Sequence, residues 1–330
     1  MNKKLSLVLL AFLAACGGAA GTATPLVAIA PLPTAKPAAT PTAKATATPT
    51  VAPTATPTVA PTVAPTATPA DRLYVAGAGA TANTIAYFTA PFSAASTATS
   101  AITTTSAQIT GMVVDSSGNL IAADVGASTV TGYTRPTPTT STTFAVTAGA
   151  LYDMAFDSAA HFYVSQSSAI STAPTPLSNS TTFTPLTTSG LTSPWGIAFD
   201  SANNMYVTNY TAGQVVAYQS PYTSAPFATI STGGTDLESV VFDKATNQVI
   251  AVLSSGALVY NLPLTNSSTP VATIPSTFFF MVGAIDTAGD LFVSTAGNTI
   301  QVFHHPFSNA STPQFSFPVT HPGAAMTFGT

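Results

Sequence analysis

From residue 71 onward the chain repeats one alternation of apolar and polar positions. Five runs share an apolar stretch closed by an aspartate and a small polar turn: GMVVDSSGN from Gly111, DMAFDSAAH from Asp153, GIAFDSANN from Gly196, SVVFDKATN from Ser239 and VGAIDTAGD from Val282. Their aspartates, Asp115, Asp157, Asp200, Asp243 and Asp286, are spaced 42, 43, 43 and 43 residues apart. A β-rich run follows each turn (LIAADV, FYVSQS, MYVTNY, VIAVLS, LFVSTA). A third run then ends near proline, as in QVVAYQSPY and TIQVFHHPF, and a short fourth run closes the unit, as in TPVATI. Val, Ile, Phe, Tyr and Thr enriched between Gly, Pro, Asn and Ser clusters is the signature of strands, and no window holds a helical period. Four short strands repeated at this interval predict one blade of a β-propeller.

The two ends of this region complete each other. DRLYVAGAG from Asp71 reads as a second strand, NTIAYFTAPF as a third and SAITTTS as a fourth, with no first strand before them. AAMTFGT at the C-terminus reads as a first strand with no second, and its Gly329 falls 43 residues after Asp286. The expected fold is all-β: a six-bladed propeller of four-stranded antiparallel blades, the first closed by the C-terminal strand. Such closure leaves no open sheet edge at the seam.

The run Gly196-Ile197-Ala198-Phe199-Asp200, then Asn204-Met205-Tyr206-Val207-Thr208-Asn209, then Gln214-Val215-Val216-Ala217-Tyr218 resembles an NHL repeat. That repeat combines Gly, hydrophobic, Ala-Val-Asp with Gly-Asn-hydrophobic-Tyr-Val and a further hydrophobic strand. Gly118-Asn119-Leu120 and Gly289-Asp290-Leu291 match it in other copies. The resemblance covers residues 71–330 and implies architecture rather than activity, because propellers host enzymes, receptors and scaffolds alike.

The first 70 residues follow other patterns. Lys3 and Lys4 precede an apolar run from Leu5 to Leu13 that is too short to span a bilayer stably. Leu13-Ala14-Ala15-Cys16 resembles the bacterial lipobox, which implies a lipoprotein signal peptide over residues 1–15 and lipidation of Cys16. Several acyl chains anchor a protein stably where one does not. The membrane is therefore an expected partner, and the bacterial envelope, outer membrane or cell surface, the expected location. Cys16 is the single cysteine of the 330 residues, so the fold forms no intramolecular disulfide. Residues 16–70 carry prolines at 49, 53, 57, 61, 65 and 69 within Ala/Thr/Val sequence. Proline fixes φ and biases its predecessor toward extended conformations, so this linker is predicted to be a disordered, semi-rigid tether reaching on the order of 150 Å.

Charge narrows the partners. Charged residues make up 5% of the chain, and residues 71–330 hold three cations (Arg72, Arg135, Lys244) against eleven acids, a formal charge of −8. Nucleic-acid binding needs a basic footprint, so protein or glycan is the expected ligand class of a non-catalytic binding or scaffold module.

The five repeated aspartates read as structural turn residues, since a short carboxylate at a turn start accepts turn amides. Candidate ligand-binding residues lie on the opposite face, where loops entering the first strands and leaving the second strands converge on the channel: Asp124, Asp153, Gln166, Trp195, Asn209, Asp236 and Glu238. Trp195 reads as an inter-blade packing residue, with a stacking platform for a sugar or peptide as the alternative. His161, His304, His305 and His321 form no nucleophile–base pair with a serine, so no catalytic residue is assigned. Six-bladed propellers of the gluconolactonase type hold one divalent cation through carboxylate and amide oxygens. The resemblance in architecture raises the alternative of a metal-dependent lactone hydrolase or lyase. Glu238, Asp153, Asn209 and Asp124 are the oxygen donors available to such an ion, which would polarise a lactone carbonyl and activate water.

Overall fold

A computed structural model describes residues 71–77, 84–98, 100–104, 108–134, 141–145, 150–234, 236–276, 278–320 and 323–329. The predicted signal, Cys16, the linker and His321 lie outside them.

Each repeat folds as one four-stranded antiparallel sheet. Blade 1 holds β1 (Arg72–Gly77), β2 (Thr84–Thr89) and β3 (Ser100–Thr103). Blade 2 holds β4 (Ile109–Val114), β5 (Leu120–Asp124), β6 (Thr129–Tyr133) and β7 (Ser141–Ala145). Blade 3 holds β8 (Leu151–Phe156), β9 (Phe162–Gln166), β10 (Ile170–Ala173) and a two-residue outer strand, β11 (Thr184–Pro185). Blade 4 holds β12 (Pro194–Phe199), β13 (Met205–Asn209), β14 (Gln214–Tyr218) and β15 (Ala228–Ser231). Blade 5 holds β16 (Leu237–Asp243), β17 (Gln248–Leu253), β18 (Gly256–Asn261) and β19 (Ala272–Pro275). Blade 6 holds β20 (Phe280–Ile285), β21 (Leu291–Thr295), β22 (Thr299–Phe303) and β23 (Phe315–Pro318). The last strand, β24 (Gly323–Gly329), returns to blade 1, where it pairs with β1 from Arg72↔Gly329 to Gly77↔Gly323.

The first strands pack against one another in a closed ring, β4–β8–β12–β16–β20–β24 and back to β4. The fold is therefore a six-bladed all-β propeller whose first blade is completed by the C-terminal strand, as the repeat predicts. The helical content of the described residues is a single 3₁₀ turn, Tyr210–Ala212.

The core consists of six apolar layers, one between each pair of neighbouring blades. Successive residues of a strand point to opposite faces, so each second strand feeds two layers at once. In β13, Met205 and Val207 enter the layer shared with blade 3, while Tyr206 enters the layer shared with blade 5. This is why β5, β9, β13 and β21 are buried at every position and open on consecutive apolar residues rather than on an alternation. The prolines that end the third runs occupy matching places, and Pro91, Pro176, Pro221, Pro263 and Pro306 each follow a cis peptide bond.

Candidate functional site

The two faces of the ring use their polar side chains differently. On the turn face, where each first strand meets the second, all five repeated aspartates accept backbone N–H groups two, and in four cases also four, residues ahead. Asp200 Oδ1 accepts from Ala202 (2.9 Å) and Asn204 (2.8 Å), and its Oδ2 accepts from the Asn204 amide (2.8 Å) and the Tyr206 hydroxyl (2.9 Å). Asp115 repeats this with Ser117 and Asn119, Asp157 with Ala159 and His161, and Asp286 with Ala288 and Asp290. Asp243 accepts from Ala245 and the Thr246 hydroxyl. A cleft of about 600 Å³ opens on this face between blades 2 and 3, beside Val114, Asn119, Tyr133, Phe156 and Thr175. The carboxylates at its wall, Asp115 and Asp157, are already occupied by their turns.

The channel face repeats a polar residue at the last position of the second strand: Asp124, Gln166, Asn209 and Thr295. These side chains serve the chain's own loops. Asp124 Oδ1 accepts from Gly126 (2.9 Å) and Ala127 (3.2 Å). The Asn209 amide oxygen accepts from the N–H groups of Thr192 and Ser193, and its NH₂ donates to the Gly190 carbonyl (3.1 Å). Gln166 Oε1 accepts from the Ser171 hydroxyl (2.6 Å).

A second channel-face position behaves otherwise. Every first strand leaves register with its neighbour one residue into the strand, and the irregularity takes in Thr110, Tyr152, Trp195, Glu238, Met281 and Ala324 in turn. A β-bulge kinks its strand and re-aims the side chain it carries. All six are half-buried and stand at the rim of the channel. The bulge amides are held in three blades by hydroxyls from the second strand. Asp153 N–H donates to Ser165 Oγ (2.9 Å), Gly196 N–H to Thr208 Oγ1 (2.6 Å) and Val282 N–H to Ser294 Oγ (3.3 Å).

Within this rim the large side chains are consecutive. The Tyr152 ring stacks on Trp195 at 4.0 Å and 15°, and Tyr210 stacks on the indole at 4.8 Å and 29°. Tyr210 Oη donates to Asp236 Oδ1 (2.9 Å), and Asp236 sits in the left-handed region at φ 64° in the loop entering β16. Glu238 follows two residues later. Burial and the neighbouring Asp236 charge push its carboxyl up to about 7, and burial with the adjacent carboxylates pushes the Tyr210 hydroxyl to about 12. The structure thus brings Trp195, Asp236 and Glu238 together and adds Tyr152 and Tyr210, which sequence reasoning missed. Tyr152 was findable: it stands five residues before its repeat aspartate, as Trp195 and Glu238 do. Tyr210 was findable in the same way: it closes the second run, where the other copies carry Val125, Ser167, Ser254 and Ala296.

Asp153 lies one residue deeper, where other blades carry Gly111, Gly196 and Ser239. A side chain is tightly confined there: a Cβ on Gly196 would stand 2.8 Å from the Val240 nitrogen of the next first strand. Asp153 fits by accepting from its own neighbour Met154 (2.8 Å) and, across the blade boundary, from Ile197 (3.0 Å). Burial raises it to about 7 against the pull of those two amides. Among the described residues no three His, Cys, Asp or Glu side chains converge at a spacing that would hold an ion. Asp124 Oδ1, both Asp153 oxygens and the Asn209 amide oxygen each accept from backbone N–H groups. The histidine–carboxylate contacts, His161–Asp157 (2.9 Å) and His304–Asp290 (2.5 Å), lie away from the channel rim.

No protein-family model matches the chain, and no curated protein matches it. Solved structures share the fold. A chain of the nidogen/laminin complex superposes with a TM-score of 0.64 at 15% identity, covering 79% of this chain and 98% of that one. A Bacteroides fragilis protein described as a candidate 6-phosphogluconolactonase gives 0.60 at 11% identity, covering 80% and 99%. A Bacteroides uniformis protein of the same description gives 0.57 at 13%, covering 78% and 84%. At these identities the likeness is one of fold, and that fold serves a protein–protein complex in one case and is linked to lactone chemistry in the others.

Proposed function

We propose that the chain is a lipid-anchored protein of the bacterial envelope whose NHL-type propeller is a non-catalytic binding module, taking protein or glycan at the channel face. One observation carries the reading: at the bulge position of the first strand, three consecutive blades present Tyr152, Trp195 and Glu238 half-exposed at the rim. Elsewhere on the ring the repeated polar groups are consumed by turns and loops, which leaves this rim as the surface free to recognise something. The lipobox resemblance at Leu13-Ala14-Ala15-Cys16 and the repeat chemistry of residues 71–330 support the anchor and the repeat type. The test is retention of envelope proteins and cell-wall glycans on the immobilised full chain, in parallel with lactone turnover by the same preparation. Saturable retention that free chain competes away supports the module. Turnover of 6-phosphogluconolactone without saturable retention would replace it with a hydrolase. Labelling with radioactive palmitate, lost on Cys16→Ser, tests the anchor.

A further inference from the structure

We propose that the channel face over blades 4 to 6 docks a cationic peptide segment: a lysine or arginine, flanked by apolar side chains, of an otherwise extended partner. This rests on the binding-module reading and names its ligand.

Two features meet on this face. The first is a pair of acids two residues apart, Asp236, which accepts from the Tyr210 hydroxyl, and Glu238, whose charge is felt at the same hydroxyl. Among the described residues no Lys or Arg neutralises them: Arg72 lies over the Tyr87 ring in blade 1 and Lys244 follows Asp243 on the turn face. The second is the loop entering β20, where two consecutive phenylalanines, Phe278 and Phe279, are 56% and 61% exposed. Backbone hydrogen bonds join the two features across adjacent loops. Ser254 N–H donates to the Asp236 carbonyl (3.2 Å), Phe280 N–H to the Ser254 carbonyl (3.2 Å), and Ala296 N–H to the Phe279 carbonyl (3.0 Å). The acids and the bare apolar side chains thus stand on adjacent, hydrogen-bonded loops of one face.

Charge complementarity selects the occupant. An ammonium or guanidinium beside Tyr210 would gain two carboxylates and a π surface, while the −8 charge of residues 71–330 steers cations inward from a distance. A sugar fits less well, because Tyr152 and Tyr210 cover both faces of Trp195 and leave no indole face for a pyranose ring. A second copy of this face would oppose like charges.

Trp195 is the chain's one tryptophan and touches Tyr210, so its fluorescence reports on this surface alone. The full chain in detergent would be titrated with end-blocked tripeptides phenylalanine–X–leucine, X being arginine, lysine, glutamine or glutamate, and with a chitin hexasaccharide. The expected result is a saturable change with arginine and lysine, about tenfold weaker or more with glutamine, absent with glutamate, and weakened by salt. Glu238→Gln should weaken the arginine peptide about tenfold and Phe279→Ser several-fold, neither change reaching the core. Equal responses to arginine and glutamine, an unaffected Glu238→Gln, or a response to the hexasaccharide in place of the peptides each overturn the assignment. If no peptide responds while envelope components are still retained saturably, this inference falls and the module stands. Loss of both responses sinks both.

Discussion

The turn face and the channel face each repeat one feature from blade to blade, yet they reach opposite ends. On the turn face the repeated carboxylate is engaged by its own turn, down to the same two amides in four blades of five. On the channel face the repeat is kept in backbone form, as a bulge in every first strand, while the side chain on it changes from Thr110 to Tyr152, Trp195, Glu238, Met281 and Ala324. A fixed side chain on a fixed backbone marks a structural task. A varied side chain on a fixed backbone marks a position released from that task.

The contrast is easiest to break at Asp200. Asp200→Ala strands two backbone amides, the Asn204 amide and the buried Tyr206 hydroxyl, and should lower urea-unfolding stability by about 3 kcal/mol. An unchanged midpoint would remove the turn from the list of what holds the blade. Gly196→Ala tests how rigid the channel-side backbone is. Its Cβ would meet the Val240 nitrogen at 2.8 Å and the Ser239 Cα at 2.9 Å, backbone atoms that cannot swing aside. A loss of about 2 kcal/mol is expected, and a neutral result would mean the ring of first strands breathes.

A subtler effect belongs to Asp153. Its carboxyl is raised to about 7 by burial, above the unfolded value near 4. The folded state therefore holds an extra proton between about pH 4 and pH 7, and stability falls as pH rises through that window. Asp153→Asn should flatten this fall by about 1 kcal/mol in urea midpoints compared at about pH 4.5 and about pH 8. Glu238 titrates in the same window and supplies a remainder. An unaltered pH profile would show that the fold does not hold Asp153 protonated. The smallest change is expected of Glu238→Gln, within about 0.5 kcal/mol of the parent in the same assay. A large loss there would make Glu238 a structural residue like Asp200 and erase the distinction between the faces.

Blade number, strand grammar and the composite first blade were legible because each depends on spacing along the chain, and Asp115 to Asp286 keep that spacing almost without error. The site was legible only in part. Trp195, Asp236 and Glu238 stood out as departures from the repeat, and the fold brings them together through Tyr210. Asn209, Gln166 and Asp124 stood out equally, but the repeat pattern does not say which way a side chain turns: Asn209 and Asp124 turn back onto neighbouring loops, and Gln166 onto Ser171 of β10. Neighbours at the rim come from different blades some 43 residues apart, so the Tyr152–Trp195 stack has no local sequence signature. The outer strand of blade 3 shrinks to Thr184–Pro185, a brevity that TTFTPLTT does not announce.

The partnership of β1 with β24 bears on when the ring can exist at all. Arg72 and Gly329 pair directly although almost the whole propeller lies between them in sequence. Contacts of such separation are the slowest to form, since loop-closure entropy is spent before they return anything. Until β24 docks, the apolar layers on both sides of blade 1 are incomplete: Ala325 is absent from one and Met326 from the other. The seven residues Gly323–Gly329 therefore act as a latch on the whole circle, and assembly of five blades would leave an open arc rather than a nearly finished protein.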